Sequence, residues 1–232
     1  MLGIIGAMKE EVQQLKDAME QARVQSVAGM DFYKGNISGK EVVAVQSGVG
    51  KVNAAVCAQI LVDLFQVTAI VNTGIAGSLR PEINIGDIVL STDAVQHDVD
   101  AAAFGYDPGQ IPQMKTFSFP ADERLIRLAA ECCGRVNPEV GVHKGRVTTG
   151  DQFISGQAKK DWIAKTFDGA CAEMEGGAIA QTAYLNQIPF LIVRAISDKA
   201  DDSAHMDYPE FEQLAIRHSV NLTKAMIEVC EL

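Results

Sequence analysis

The chain has no excess of basic residues, no apolar run of transmembrane length and no repeat. It carries 20 Lys and Arg against 30 Asp and Glu, which gives a net charge of −10 at pH 7. Phosphate backbones and anionic membrane surfaces attract clustered basic side chains, so nucleic-acid binding and membrane docking are both disfavoured. A spanning helix needs roughly 20 apolar residues and a signal peptide needs a basic start followed by an apolar stretch. The sequence predicts neither.

Paired metal ligands and paired cysteines are missing as well. The cysteines are odd in number and form no C-x-x-C pair, with single or adjacent thiols at positions 57, 132, 133, 171 and 230. This pattern argues against a disulfide framework or a zinc site and favours a reducing compartment, for which we expect the cytoplasm. The histidines at 97, 143, 205 and 218 show no metal-ligand spacing, and G-x-S-x-G is absent. We expect no metal and no cofactor.

Short β-branched runs alternate with helical patterns along all 232 residues, 47% of which are hydrophobic. The patterns predict one three-layer α/β domain over residues 1–232, with helices flanking a central mixed sheet. Strands are predicted at 2–6, 30–37, 41–47, 69–73, 85–93, 140–149 and 190–197. Helices are predicted at 10–21, 52–65, 122–134, 158–166, 176–186 and 211–229, with an irregular segment at 95–117.

Ligands of open α/β sheets bind beyond the carboxyl ends of the strands. In this chain that rule selects residues 6–11, 48–51, 73–78, 149–154, 173–177 and 197–198. Glycines occur in most of these segments and carboxylates in four of them, so chemistry is expected where these loops meet.

Glu11 stands in the first turn of the helix that follows the first strand. Because Glu10 and Glu11 lie about 100° apart around a helix axis, only one of them is expected to face a pocket. A carboxylate at a helix start also interacts favourably with the helix dipole. Both interpretations of Glu11 stay open at this point.

The segment Asn72-Thr73-Gly74-Ile75-Ala76-Gly77-Ser78 is rich in glycine and has no basic residue before Arg80. Glycines let a ligand approach the backbone closely and leave N–H groups free. The segment is therefore either a ligand loop or a plain strand-to-turn connection.

Three further carboxylates lie in apolar surroundings. Glu173 and Glu175 flank Met174 just before a helix of small residues, where they could bind a ligand or cap the helix. Asp198 closes a nearly continuous apolar strand, where α/β enzymes place ligand-binding groups, although Asp also caps turns in such positions. His97-Asp98 could pair a base with an orienting group, and His218 is expected at the edge of the core.

Taken together, GIIGAMKEEV, QSGVGKVNAA, NTGIAGSL, INIGDIV, HDVDAAAFGY, TGDQFI, AEMEGGAIA and VRAISDKAD closely resemble the 5′-methylthioadenosine/S-adenosylhomocysteine nucleosidases of the purine nucleoside phosphorylase superfamily. The matches occur in order and cover nearly the whole chain. The resemblance implies a nucleoside phosphorylase-like fold that hydrolyses the N-glycosidic bond of these adenosine thioethers and releases adenine.

The resemblance also implies roles for individual residues. Glu11 looks like the carboxylate that activates water, Asp198 with Ser197 like the acid that protonates adenine N7, and Glu175 like the ribose ligand. The other residues that the resemblance assigns to the substrate are Met174 and Arg194 near the sugar, Phe153, Ile154 and Gly77 near adenine, and Met8, Val49 and Tyr208 around the 5′-alkylthio group. It further implies a homodimer in which Phe104 and Pro112 complete the partner's pocket.

Three positions depart from the commonest pattern of these enzymes. Ile75 stands where serine is frequent, Ala101 where a branched aliphatic is frequent, and Gly176-Gly177 replaces a bulkier pair. These departures bear on substrate preference. The alternatives to hydrolysis of the adenosine thioethers are a nucleosidase for futalosine-type nucleosides, a phosphorylase, and a non-catalytic nucleoside-binding protein. A phosphorylase is disfavoured because Glu11 would repel a phosphate dianion and residues 72–78 include no basic side chain to bind it.

Overall fold

The computed structural model describes residues 1–202 and 204–230, without the side chains of 205–207 and 209. The described part forms ten strands, which are β1 Leu2–Gly6, β2 Glu20–Val27, β3 Met30–Ile37, β4 Lys40–Gln46, β5 Ala69–Ser78, β6 Ile88–Gln96, β7 Phe119–Pro120, β8 Val142–Thr149, β9 Gly169–Glu173 and β10 Phe190–Asp198. It also forms six α-helices, α1 Lys9–Asp17, α2 Lys51–Asp63, α3 Glu123–Val136, α4 Gln157–Phe167, α5 Gly176–Leu185 and α6 Ala204–Val229, and a short 3₁₀ turn at Ala102–Phe104.

The strands make one mixed sheet in the order β10-β6-β8-β9-β5-β1-β4-β3-β2, with β7 beside β6. β10 also pairs with β5, so β5, β10, β6, β8 and β9 hydrogen-bond in a closed circuit. The pairs β1–β4, β1–β5, β5–β10, β6–β8 and β8–β9 are parallel, and the others are antiparallel. The predicted mixed sheet with flanking helices is confirmed.

β10 occupies the centre of the core. Each of its residues is buried, because β5 and β6 pair with its two edges and α6 packs on it. A strand covered on both faces has a nearly continuous apolar sequence, as the residues of β10 have. The predicted strand and its two-sided burial are confirmed, and Asp198 ends it.

The first helix is shorter than predicted. α1 ends at Asp17 and β2 begins at Glu20, with Gln21 at φ 53° inside the strand, where the sequence predicted helix as far as residue 21. All but the last residue of β2 are exposed. An exposed edge strand buries neither face, so the period-two pattern that identifies strands from sequence is absent.

The strands around the glycine-rich segment also differ from prediction. β5 continues through Gly74 and Gly77 to Ser78 and pairs with β10 along this stretch. The segment is therefore neither of the two loops considered above. β6 begins three residues later than predicted and ends at Gln96, and β9 was not predicted, because its five residues include small Gly and Ala that carry little β signal.

The last helix begins at Ala204, ahead of the predicted start at 211. Leu214 on this helix is 36% exposed, while Ala215, Leu222, Ala225 and Met226 are buried. His218 is buried as expected, and its Nδ1 lies 2.8 Å from the carbonyl oxygen of Gly86. No helix in the described residues combines the length and hydrophobicity of a transmembrane span.

Candidate active site

A cavity of about 430 Å³ lies where β1, β5, β9 and β10 end. Ten of the residues that the sequence assigned to a site line it, namely Met8, Glu11, Val49, Gly77, Phe153, Met174, Glu175, Ser197, Asp198 and Tyr208. Ala7, Ile75, Ala76, Ala172 and Glu173 complete the lining. The fold thus brings together residues that are as far apart as 8 and 208 in the sequence.

Glu11 both caps α1 and lines the cavity. Its Oε2 accepts a hydrogen bond from the Met8 N–H at 2.9 Å and its Oε1 accepts one from the Ile75 N–H at 3.3 Å. Glu10 is exposed and Glu11 is 4% exposed, so the expectation that one of the pair faces a pocket is confirmed. Burial raises the pKa of Glu11, although nearby Arg194 and the N–H donors oppose the shift.

Asp198 projects from the end of β10 into the same cavity. Its Oδ2 accepts from the Ser197 hydroxyl at 2.9 Å and its Oδ1 accepts from the Ala200 N–H at 2.8 Å. It therefore caps the following turn and also lines the cavity. Gly77 makes room for it, because a Cβ there would lie 2.7 Å from Asp198 Oδ1.

Glu173 and Glu175 are both buried, but they have different partners. Glu175 Oε1 accepts a hydrogen bond from the Gly50 N–H at 2.8 Å. Glu173 accepts from the N–H groups of Glu175 and Gly176, at 3.1 and 2.7 Å, and from the Thr149 hydroxyl. Burial, together with the negative charge of Glu173, raises the pKa of Glu175 to about 7.

Arg194 lies behind the cavity wall and is 1% exposed. Its Nη2 donates to Asn72 Oδ1 at 2.6 Å and to Glu173, and it lies 3.8 Å from Glu175 Oε2. Burial alone would lower the pKa of Arg194, but Glu173, Glu175 and Glu11 together raise it. The sequence suggested no cation near residues 72–78, whereas in the sheet Arg194 is the register partner of Gly74.

The remaining lining is mostly apolar. The Phe153 and Tyr208 rings meet edge to face at 5.8 Å between centroids. The Tyr208 hydroxyl donates to Glu212 at 2.9 Å and lies 3.5 Å from Met8 Sδ. Ile154 is buried in a small adjoining cavity that shares Gly77, Phe153 and Asp198 with the main one. An aromatic, apolar chamber with a few carboxylates suits a flat heterocycle joined to a sugar.

Phe104 and Pro112, which the resemblance assigns to the partner's pocket, do not lie at this cavity. Phe104 is 84% exposed and Pro112 is also exposed, and both lie between β6 and β7 outside the cavity lining. The His97-Asp98 pairing is wrong, because neither ring nitrogen of the buried His97 has a partner and Asp98 accepts from Lys51. Within the described residues, no cluster of three or more His, Cys, Asp or Glu side chains could hold a metal.

Glu173 is the functional residue that sequence reasoning left without a role. It lines the cavity and is the counter-ion of Arg194. The sequence showed it only as one of two neighbouring carboxylates. The alternation within Glu173-Met174-Glu175 was the available signal that a buried carboxylate there would need a partner, but it did not identify Arg194 as that partner.

Known proteins match this chain along nearly its full length. The family model described as "Phosphorylase superfamily" matches residues 1–228. A 5′-methylthioadenosine/S-adenosylhomocysteine nucleosidase from Halalkalibacterium halodurans is 43% identical over 97% of both chains. The Neisseria meningitidis nucleosidase of the same name, solved in complex with methylthio-immucillin-A, superposes with a TM-score of 0.94 at 36% identity over 99% of both chains. A futalosine hydrolase from Helicobacter pylori superposes with a TM-score of 0.93 at 30% identity, over 99% of this chain and 97% of that one.

Proposed function

Because the chain belongs to the phosphorylase superfamily and, within it, to the 5′-methylthioadenosine/S-adenosylhomocysteine nucleosidases, we propose that it hydrolyses the N-glycosidic bond of these two nucleosides and releases adenine. The observation that carries the proposal is that Glu11, Glu175 and Asp198 line one largely apolar cavity. Breaking an N-glycosidic bond develops positive charge on the sugar, and the adenine must leave with a proton. Buried carboxylates stabilise the positive charge on the sugar and supply the proton to adenine.

Glu11 positions and deprotonates the attacking water. Water oxygen bonds to C1′ as the bond from C1′ to adenine N9 breaks, and Glu11 takes the proton that the water loses. Its raised pKa brings the carboxylate closer to the range in which a general base works well near neutral pH. The N–H donors of Met8 and Ile75 hold the two oxygens in place.

Asp198 is the acid on the leaving-group side. It donates a proton to adenine N7, while the Ser197 hydroxyl and the Ala200 N–H hold its carboxyl in position. Phe153 stacks on the adenine ring, and the backbone of Ile154 pairs with its edge near Gly77. The division of work between Glu11 and Asp198 parallels that of the two carboxyl groups in inverting glycosidases.

Glu175 accepts hydrogen bonds from the 2′- and 3′-hydroxyls of the ribose, above Met174. Arg194 balances its charge from behind, at 3.8 Å. Met8, Val49 and Tyr208 surround the 5′-alkylthio group, and Val49 and Phe153 are each about half exposed. The opening at these two residues leaves space for the longer substituent of S-adenosylhomocysteine.

Electrostatics favour water over phosphate as the nucleophile. The guanidinium of Arg194 is enclosed by Glu173, Glu175 and Glu11, which all act on its pKa. Glu173 already pairs with this guanidinium, and Glu175 and Glu11 add negative charge when they are ionised, so no free cation is left to hold a phosphate dianion. Water carries no charge and is admitted.

The test is chromatography of adenine released from each thionucleoside in phosphate-free buffer. We expect stoichiometric adenine and the free 5-thioribose product. A requirement for phosphate, or a sugar 1-phosphate as product, would contradict hydrolysis. Tight binding of adenosine analogues without any adenine release would favour a nucleoside-binding protein instead.

A second candidate is hydrolysis of futalosine-type nucleosides. The futalosine hydrolase from Helicobacter pylori superposes about as well as the nucleosidase from Neisseria meningitidis, with TM-scores of 0.93 and 0.94. Parallel kcat/KM measurements on both substrate classes separate the two, and we expect the adenosine thioethers to be preferred.

We further propose a homodimer in which Phe104 and Pro112 of each protomer complete the apolar wall of the partner's cavity. α2 supports this, because Val52 and Val56, four residues apart on its surface, are 75 and 40% exposed, and Leu64, directly after the helix, is 55% exposed. Residues four apart lie on one face of a helix, and an exposed apolar stripe marks an interaction surface. A reducing compartment such as the cytoplasm suits the protein, because all five cysteines are buried, unpaired thiols.

A further inference from the structure

Three loops beside the cavity are joined through Asp98. They follow β4, β6 and β8. Lys51 is the first residue of α2, directly after the first loop, and Asp98 and Asp151 lie in the other two. Asp98 Oδ1 accepts from Lys51 Nζ at 2.6 Å, and Asp98 Oδ2 accepts from the Asp151 N–H at 2.9 Å. None of the three residues lines the cavity.

The three residues close a ring of hydrogen bonds. Asp151 Oδ1 accepts from the Lys51 N–H at 2.8 Å, which connects the third side of the ring. Lys51 Nζ also donates to Gln96 Oε1 at 3.1 Å. The Lys51 and Asp98 side chains are only 19 and 15% exposed, so water screens the pair less than it screens a surface ion pair.

This ring is one peptide away from the proposed ribose ligand. The Gly50 N–H donates to Glu175 Oε1 at 2.8 Å, and the next N–H, that of Lys51, donates to Asp151. Gly50 adopts φ 97° and ψ 160°, a conformation that is essentially restricted to glycine. Asp151 Oδ1 also lies 3.1 Å from where a Gly50 Cβ would be, so the ring borders this strained peptide directly.

We propose that Asp98 is a positioning residue of the ribose site. Through Lys51 and Asp151 it holds the Gly50 N–H against Glu175 and so orients the carboxylate toward the ribose hydroxyls. Burial by itself would raise the pKa of Asp98, but the hydrogen bonds from Lys51 and Asp151 lower it, which keeps the ring charged near neutral pH. The proposal rests on the assignment of Glu175 to the ribose.

The test is binding of two ligands to Asp98→Ala by calorimetry. The first is an adenosine analogue with a carbon–carbon glycosidic bond, which is not hydrolysed, and the second is adenine, which has no ribose. We expect the Kd of the analogue to rise about tenfold, as the loss of a charge-assisted hydrogen bond would give, and the Kd of adenine to stay unchanged. Asp98→Asn, which keeps an acceptor for the Asp151 N–H, should recover part of the affinity.

A double-mutant cycle tests the route through Glu175. If Asp98 acts by orienting Glu175, then Asp98→Ala should have little further effect on the Kd of the analogue in a Glu175→Gln background. Lys51→Met removes the ammonium and keeps the stem, so it should reproduce the effect of Asp98→Ala and gives a second variant if that one fails to fold.

The matched control is Asp93→Ala. Asp93 accepts from Arg146 Nη2 at 2.6 Å, and the two side chains are 16 and 27% exposed. This pair also joins β6 to β8 but has no contact with Gly50 or Glu175. Its loss should lower the thermal midpoint and leave both Kd values unchanged.

Three results would each overturn the proposal. The first is an equal change in Kd for the analogue and for adenine, and the second is an effect of Asp98→Ala on the Kd of the analogue that adds fully to that of Glu175→Gln. The third is an effect on that Kd no larger than the effect of Asp93→Ala. A wild-type protein that releases no adenine would contradict the proposed hydrolysis instead. The binding comparison does not depend on turnover, so the two failures are distinguishable.

Discussion

Glu11 performs two tasks that sequence reasoning treated as alternatives. Its carboxylate accepts from the Met8 N–H at the start of α1 and also faces the cavity. The N–H groups at a helix start need acceptors, and they hold the carboxylate in one orientation. Capping is therefore part of how the proposed base is oriented, and the same reasoning applies to Asp198, which caps its turn through the Ala200 N–H.

Glu11→Gln should lower kcat by at least about a hundredfold, the usual contribution of a positioned general base. Glutamine keeps an acceptor oxygen but cannot take a proton from water. The thermal midpoint should change little, because glutamine removes a buried charge but leaves one of the two N–H groups, of Met8 or Ile75, without its acceptor. Steady-state adenine release and a thermal melt measure the two effects.

Glu10→Gln is the matched control, since Glu10 is the exposed neighbour on the same helical turn. It should retain wild-type kcat. If Glu11→Gln also retained wild-type kcat, Glu11 would have no part in activating water.

Glu175 makes stability depend on pH in a defined direction. Its pKa rises from 4.5 to about 7 on folding, so between these values the folded state binds more protons than the unfolded state. The free energy of unfolding then falls as pH rises through this window, and the loss is complete above about pH 7. Glu175→Gln should remove that part of the pH dependence.

Urea unfolding of wild type and Glu175→Gln across the same window measures the effect. The difference in unfolding free energy should shift in favour of the variant as pH rises. Parallel pH profiles for the two proteins would show that Glu175 is not the group responsible.

At the scale of elements, the sequence predicted the segments whose burial pattern matches their period. β10 has a continuous apolar run because both its faces are covered, and β3 and β4 flank the turn at Ser38-Gly39, where both residues have positive φ. β2 and β9 escaped prediction for opposite reasons. The first buries almost nothing, and the second is made of small residues whose pairing with β5 and β8 depends on the closed circuit.

A substitution at Asp122 tests the capping of α3, a helix that the sequence predicted well. It caps α3, and its Oδ1 accepts from the N–H groups of Arg124 and Leu125 at 2.9 and 3.1 Å. Asp122→Ala should lower the free energy of unfolding by about 1 kcal/mol. Adenine release should be unchanged, because α3 contributes no residue to the cavity lining. Urea denaturation and the adenine assay check both, and a stability equal to wild type would contradict the cap.

At the scale of the molecule, the cavity depends on pairings that the sequence does not display. The sequence identified ten of its lining residues: the carboxylates and Gly77 stand out at the ends of apolar strands, and the others were assigned through the family resemblance. It could not place Arg194 beside Gly74 or Glu173 beside Arg194, since these contacts follow from β5 pairing with β10 and from β9 joining β5. Local patterns report which residues are unusual, and long-range strand pairing decides which of them meet.

The last prediction concerns the proposed dimer. Val52 on α2 is 75% exposed and Phe104 is 84% exposed, and burying such side chains is worth about 1.5–3 kcal/mol each. Val52→Lys would place a charge in the apolar stripe, so we expect a monomer by light scattering. We also expect a higher KM for the 5′-thioethers, because Phe104 of the partner subunit would no longer close the cavity.

Val24→Lys is the control, since Val24 is 53% exposed on the edge strand β2, away from the stripe. It should leave mass and KM unchanged. A wild-type protein that is monomeric and fully active would contradict the shared site, and a monomeric Val52→Lys with unchanged KM would separate dimerisation from substrate binding.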